Sequence, residues 1–126
     1  MIGYVTLGTN DLARATDFYE SVFSMIGAKR MFDTDNAVVW YTEPGKAMVG
    51  VIKPFNKQPA TGGNGTMVAL LVDSPAQVDA LHKQALAMGA TDEGAPGTRG
   101  GNSGFYIGYF RDLDGNKLSF YLMPKN

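Results

Sequence analysis

Cysteine is absent from this 126-residue chain, and histidine occurs once. The first absence excludes disulfides, thiolate catalysis, cysteine-ligated zinc and iron–sulfur clusters. The second excludes every protein-only metal site that needs two imidazoles, the 2-His-1-carboxylate triad among them. An excess of charge of either sign is also lacking: 11 basic side chains stand against 12 acidic ones, a net charge of −1. An extended phosphate-binding face, and with it a nucleic-acid partner, is therefore not expected. No apolar run approaches the ~20 residues that cross a bilayer, so no membrane role is expected. The opening MIGYVTLGTNDLARA has no basic start followed by a long apolar stretch, so the expected location is cytoplasmic.

What is present is enough apolar material for a core. The chain is 44% hydrophobic, and its length fits one domain of the common ~100–150 residues. Within it, two segments carry the same order of signals. In Tyr4–Met25, Val5 and Leu7 alternate as in a half-buried strand. Asn10 or Asp11 can cap a helix, Leu12, Ala15, Tyr19, Val22, Phe23 and Ile26 follow at helical spacing, and Gly27 ends it. In Met67–Met88, Val68, Leu70 and Val72 alternate. Ser74 is the N-cap, Pro75 fits the first helical position and Gln77 completes a capping box. Val78, Leu81, Ala85 and Met88 form the stripe, and Gly89 stops the helix.

Further strands follow each helix. The first half predicts them at Lys29–Asp33, Ala37–Tyr41 and Ala47–Lys53. The second half predicts a weak one near Thr91, then Phe105–Arg111 and Lys117–Met123, with Asp114-Gly115-Asn116 as the hairpin turn. Each half thus reads β-α-β-β-β. The expected organisation is one α+β domain over residues 1–126. Module one spans about 1–58, a linker that includes Thr61-Gly62-Gly63-Asn64-Gly65 about 59–65, and module two about 66–126. Tandem βαβββ modules would form a cupped mixed sheet with the helices outside.

This layout resembles the vicinal oxygen chelate superfamily, which includes glyoxalase I, extradiol dioxygenases and bleomycin and fosfomycin resistance proteins. The resemblance rests on Val5-Thr6-Leu7 through Asp11-Leu12 with Phe18-Tyr19, and on Arg111-Asp112-Leu113-Asp114-Gly115-Asn116. The family usually has proline where Leu113 stands. The resemblance implies a sheet-lined cup and, in metal-dependent members, ligands on the first and last strands of each module. Those positions fall on Tyr4, Met67, Ser119 and the neighbourhood of Gly50, which is not a good hard-metal set. It also implies a homodimer.

Strand parity independently turns Tyr4 and Thr6, Met67, and Ser119 and Tyr121 away from the helices. With the strand aromatics Trp40 and Tyr109, these are the candidate ligand wall, since a tyrosine offers an apolar ring and a hydroxyl together. Ordinary sheet packing is the competing role for the aromatics. Arg111 is a candidate anion clamp or a stabiliser of the acidic hairpin beside it. Arg99 lies in the glycine-rich stretch Gly94–Gly104, read as a loop able to close over a pocket. His82 sits mid-helix and is expected to be structural, because helices lie outside the cup. Ser119 lacks a G-x-S-x-G elbow or a histidine partner, so it reads as a polar wall residue. No catalytic residue is identified.

The expected function is capture of a small organic ligand without a metal cofactor. The alternative is a superfamily enzyme, a lactoylglutathione-lyase-like lyase or a dioxygenase, using a divalent metal on non-standard ligands.

Overall fold

The structure, a computed structural model, describes residues 1–123. Residues 124–126, which module two was expected to include, lie outside them. The chain divides into two compact units, Met1–Gly62 and Gly63–Asn126, with the division inside the glycine-rich stretch.

In the first unit, β1 (Tyr4–Gly8) leads to α1 (Leu12–Phe23), a 3-10 turn, then β2 (Lys29–Asp33), β3 (Ala37–Tyr41) and β4 (Met48–Ile52). The sheet order is β1-β4-β3-β2, with β1 parallel to β4 and the other pairs antiparallel. Asp11 caps α1 by accepting from the Arg14 amide at 3.0 Å. Gly27, at φ 72°, turns the chain out of the helix region in the left-handed conformation. Ala15, Phe18, Tyr19, Val22 and Phe23 recur at i, i+3, i+4, i+7 and i+8 and are all buried. They pack on the sheet face that carries Leu7, Val38, Trp40 and Val51.

In the second unit, β5 (Val68–Leu71) leads to α2 (Pro75–Ala87), then β6 (Thr91–Arg99), β7 (Phe105–Arg111) and β8 (Lys117–Leu122). The order is β5-β8-β7-β6, with β5 parallel to β8. Ser74 caps α2 through the Gln77 amide, and the Gln77 side chain accepts from the Asp73 amide at 2.7 Å. The core holds Val78, Leu81, Ala85, Leu118 and a stacked Phe110–Phe120 pair with centroids 5.4 Å apart. Burying each such ring contributes about 3 kcal/mol. In the β7–β8 hairpin, the Asp112 carboxylate accepts from the Asp114 and Asn116 amides, each at 2.9 Å.

Both units therefore repeat the expected β-α-β-β-β order as four-stranded mixed sheets. One expectation is corrected. Residues 94–99 are not a loop free to close over a pocket: they belong to β6, a nine-residue strand paired with β7 and kinked by register shifts at Gly94 and Gly97.

Candidate functional site

Register decides which side chains share a face. In the second unit Ala69, Ser119 and Tyr109 lie side by side across β5, β8 and β7. Leu71, Tyr121 and Ile107 form the next row, and Lys117 pairs with Arg111. This face points away from α2, because Phe110, Leu118 and Phe120 fill the other side. Tyr121 meets Phe105 edge-on at 5.8 Å. The Lys117 ammonium stands 5.3 Å over the Tyr109 ring, opposite Ser119.

Ser119 is the unusual member of this face. It is fully buried, and its hydroxyl has no hydrogen-bond partner among the described residues. A buried hydroxyl left unpaired costs about 1–3 kcal/mol, so native structures seldom keep one without a use.

In the first unit the corresponding face carries Tyr4 and Thr6, in register with Met48 and Gly50. Tyr4 is 64% exposed. Gly50 has no space for a side chain: an added Cβ would stand 2.6 Å from Val39 Cγ2 and 3.0 Å from the Val38 carbonyl oxygen.

The other sequence candidates fare unevenly. Trp40 is corrected from ligand wall to core. Its pairing with Val49 puts it on the α1 side, where its ring meets Tyr19 and Phe23 and its indole N–H donates to Glu20. That bond, with help from Arg30, holds the Glu20 carboxyl below its ordinary range. Arg111 shares the helix-free face but is held by the Glu93 carboxylate at 2.7 Å and the Gly115 carbonyl at 2.8 Å. The guanidinium acts there as a hairpin tie. Arg99, in register with Phe105, donates to the Ala95 carbonyl at 2.7 Å. Met67 precedes β5 and is 40% exposed.

His82 is buried on the α2 side, with Nε2 3.1 Å from the Tyr109 carbonyl and 3.3 Å from Asp92. A proton on Nε2 serves both acceptors and ties helix to sheet.

Each metal-ligand position can be tested within its own unit. Tyr4 offers an exposed phenol, Gly50 no side chain and no room for one, Met67 a thioether and Ser119 a neutral hydroxyl. A hard divalent metal prefers carboxylate and imidazole donors, so these residues do not fit one. Among the described residues, no three His, Asp or Glu side chains cluster for a metal elsewhere.

Sequence reasoning passed over one concavity. A groove of about 740 Å³ opens in the first unit beside the ends of β1 and β4. The available signal was Pro54-Phe55-Asn56-Lys57-Gln58-Pro59, where two prolines bracket an aromatic and a lysine just before the expected linker.

Two βαβββ units, each a four-stranded mixed sheet with one helix, define a class of duplicated α+β folds. The profile of the Glyoxalase/Bleomycin resistance protein/Dioxygenase superfamily matches residues 1–120, and the chain belongs to that superfamily. It is similar to a glyoxalase/bleomycin resistance protein from Albidiferax ferrireducens T118, with 34% identity and a TM-score of 0.89 over 98% of this chain and 99% of that one. A lactoylglutathione lyase from Agrobacterium tumefaciens matches at 25% identity and a TM-score of 0.67, over 96% of this chain and 92% of that one. A family enzyme from Burkholderia phytofirmans PsJN, at 23% identity and a TM-score of 0.74 over 94% and 95% of the two chains, shares the fold. None of the curated proteins compared matches the chain. Among the described residues, no helix is long and apolar enough to cross a membrane.

Proposed function

We propose that the chain captures a small organic molecule on the helix-free face of the second unit, without a resident metal. The observation that carries this reading is the buried, unpartnered hydroxyl of Ser119. A ligand oxygen seated there would satisfy it, and Tyr109 and Tyr121 would flank the apolar body. Lys117 leans across the row toward Tyr109. The resulting site is a mostly apolar wall with few polar groups, the usual make-up of a small-molecule site.

The test uses the full chain and 2-naphthol, a fluorescent neutral probe with one hydroxyl. Saturable binding is expected. Ala69 is exposed and adjoins Ser119 in register; Ala69→Phe should close the site and abolish binding without unfolding the protein. Elemental analysis of protein purified without chelator should find no stoichiometric nickel, zinc, iron or manganese. A stoichiometric metal that Ser119→Ala or Tyr4→Ala removes would overturn the metal-free reading. So would turnover of the methylglyoxal–glutathione hemithioacetal that chelation abolishes, and the lyase alternative would then stand.

We also propose a homodimer. Tyr4 and Phe32 on one sheet face and Leu71 on the other leave apolar surface in water. Light scattering at twice the chain mass is the expected result.

A further inference from the structure

We propose that the groove in the first unit is a second binding site, for a small aromatic carboxylate, with Lys53 and Lys57 pairing the carboxylate and Phe55 covering the ring. This site shares no residue with the sheet face of the second unit.

The groove forms where two parallel strands end together. Gly8 of β1 is in register with Ile52 of β4, and the Thr9 amide makes the last rung to the Ile52 carbonyl at 3.0 Å. Beyond that rung the exits diverge, Thr9-Asn10 on one side and Lys53-Pro54 on the other. The returning chain is fastened across the gap by Asn10. Its side-chain oxygen accepts from the Ala60 amide at 2.7 Å, and its nitrogen donates to the Ala60 carbonyl at 3.3 Å. The concavity is therefore held open by a defined clasp. Its volume, about 740 Å³, lies within the ~300–1,000 Å³ of small-molecule sites.

The lining is one-sided in charge. It contains Lys53 and Lys57 and no carboxylate. Neither lysine takes part in an ion pair among the described residues. Ile52, Pro54 and Pro59 supply apolar wall. Phe55 stands on the rim with its ring wholly in water, at 101% relative exposure. A lone exposed ring is ordinary on a protein surface, and what sets Phe55 apart is that it shares the lining with two lysines.

Lys57 adds a backbone signal. It is the one non-glycine described residue with positive φ, at 62°. The Pro54 carbonyl accepts its amide at 3.0 Å, and the Asn56 side chain accepts from the Gln58 amide at 2.9 Å. A β-carbon-bearing residue held in this region is strained, and such residues persist where the surroundings over-determine them. Two ammonium groups without an acidic neighbour suit one organic anion. The bare phenyl ring supplies a flat face that an inorganic anion would leave unused.

The experiment titrates the full chain with 2-naphthoate by fluorescence at low salt, with 2-naphthol as the uncharged control. One saturable naphthoate site is expected that weakens as salt is raised. The double variant Lys53→Gln/Lys57→Gln should weaken it by about tenfold or more, and Phe55→Ala by about threefold. Both alter exposed side chains, and an unchanged circular dichroism spectrum is expected for each. Ala69→Phe should leave naphthoate binding unchanged while removing naphthol binding at the sheet face, so each site can fail without the other. Naphthoate binding that the double lysine variant leaves unchanged would overturn the proposal. So would competition by inorganic phosphate as effective as that by naphthoate itself.

Discussion

Gly50 and Ser119 occupy equivalent places in the two units. Each lies in the last strand of its module, beside the first strand, with Thr6 next to Gly50 and Ala69 next to Ser119. The third-strand neighbour is Val39 in one unit and Tyr109 in the other. From there the copies diverge. Around Gly50 the first unit is closed: a branched valine and a backbone carbonyl fill the space that a side chain would take. Around Ser119 the second unit keeps a polar atom that no described residue satisfies. The scaffold occurs twice, and one register position sets the copies apart: Gly50 has no room for a side chain, and Ser119 carries a buried hydroxyl.

The sharpest way to break this contrast is to give Gly50 a side chain. Gly50→Ala should destabilise the protein by about 1–3 kcal/mol, because neither stiff Val39 nor the strand backbone can yield easily. A lowered urea midpoint would show it, and an unchanged midpoint would mean that the first unit has the room denied to it here. The converse change in the second unit should act in the opposite direction. Ser119→Ala removes an unsatisfied buried hydroxyl and should raise stability by about 1 kcal/mol. The same variant should weaken 2-naphthol binding, so stability and capture would move apart. A loss of stability would mean that the hydroxyl has a partner in the folded protein.

The repeat was legible because its signals are local. Asp11, Ser74, Gly27 and the i, i+3, i+4 stripes act within a turn or two, and the structure keeps the caps and most of each stripe, while Ile26 falls in the 3-10 turn and Met88 at the helix cap. The face of Ser119 followed from the alternation of Leu118 and Phe120 around it. Trp40 was less legible because Ala37–Tyr41 is apolar at every position, so alternation gives no parity. Only pairing with Val49 fixes its side, and that is a tertiary fact. The β6 strand was hidden for a related reason. Glycine and proline at 94–97 signal a loop, yet pairing with β7 tolerates them as bulges. The groove was invisible because it depends on Asn10 reaching a residue 50 positions away.

The same strand ends offer a smaller effect, since only the first unit's last strand leads into the loop that carries Lys57. Lys57→Gly should raise stability by about 0.5 kcal/mol. It relieves the left-handed backbone, less the extra freedom that glycine gains when unfolded. Naphthoate binding should fall at the same time. A Lys57→Gly protein that is less stable would show that its conformation is held by contacts stronger than the strain.

The smallest expected effect contrasts how the two units respond to pH. In the first, the Trp40 indole N–H and Arg30 lower the Glu20 carboxyl from its ordinary 4.5. A folded-state pKa below the unfolded value contributes stability above about pH 4.5, and that contribution is lost as pH falls through the lowered value. In the second, the hydrogen bond from the Tyr106 hydroxyl to Asp79 raises the phenol from its ordinary 10.0. That contribution is present below pH 10 and is lost as pH rises through the raised value. Trp40→Phe should therefore flatten only the acid limb of the stability profile, and Tyr106→Phe only the alkaline limb. Both changes should be slight, because Glu20 is nearly half exposed and Tyr106 bonds at the surface, where solvent screens the interaction. Thermal melts from pH 3 to 11 would read both limbs at once. If Trp40→Phe left the acid limb intact, Glu20 would be held by Arg30 alone, and the first unit's core would have no part in its titration.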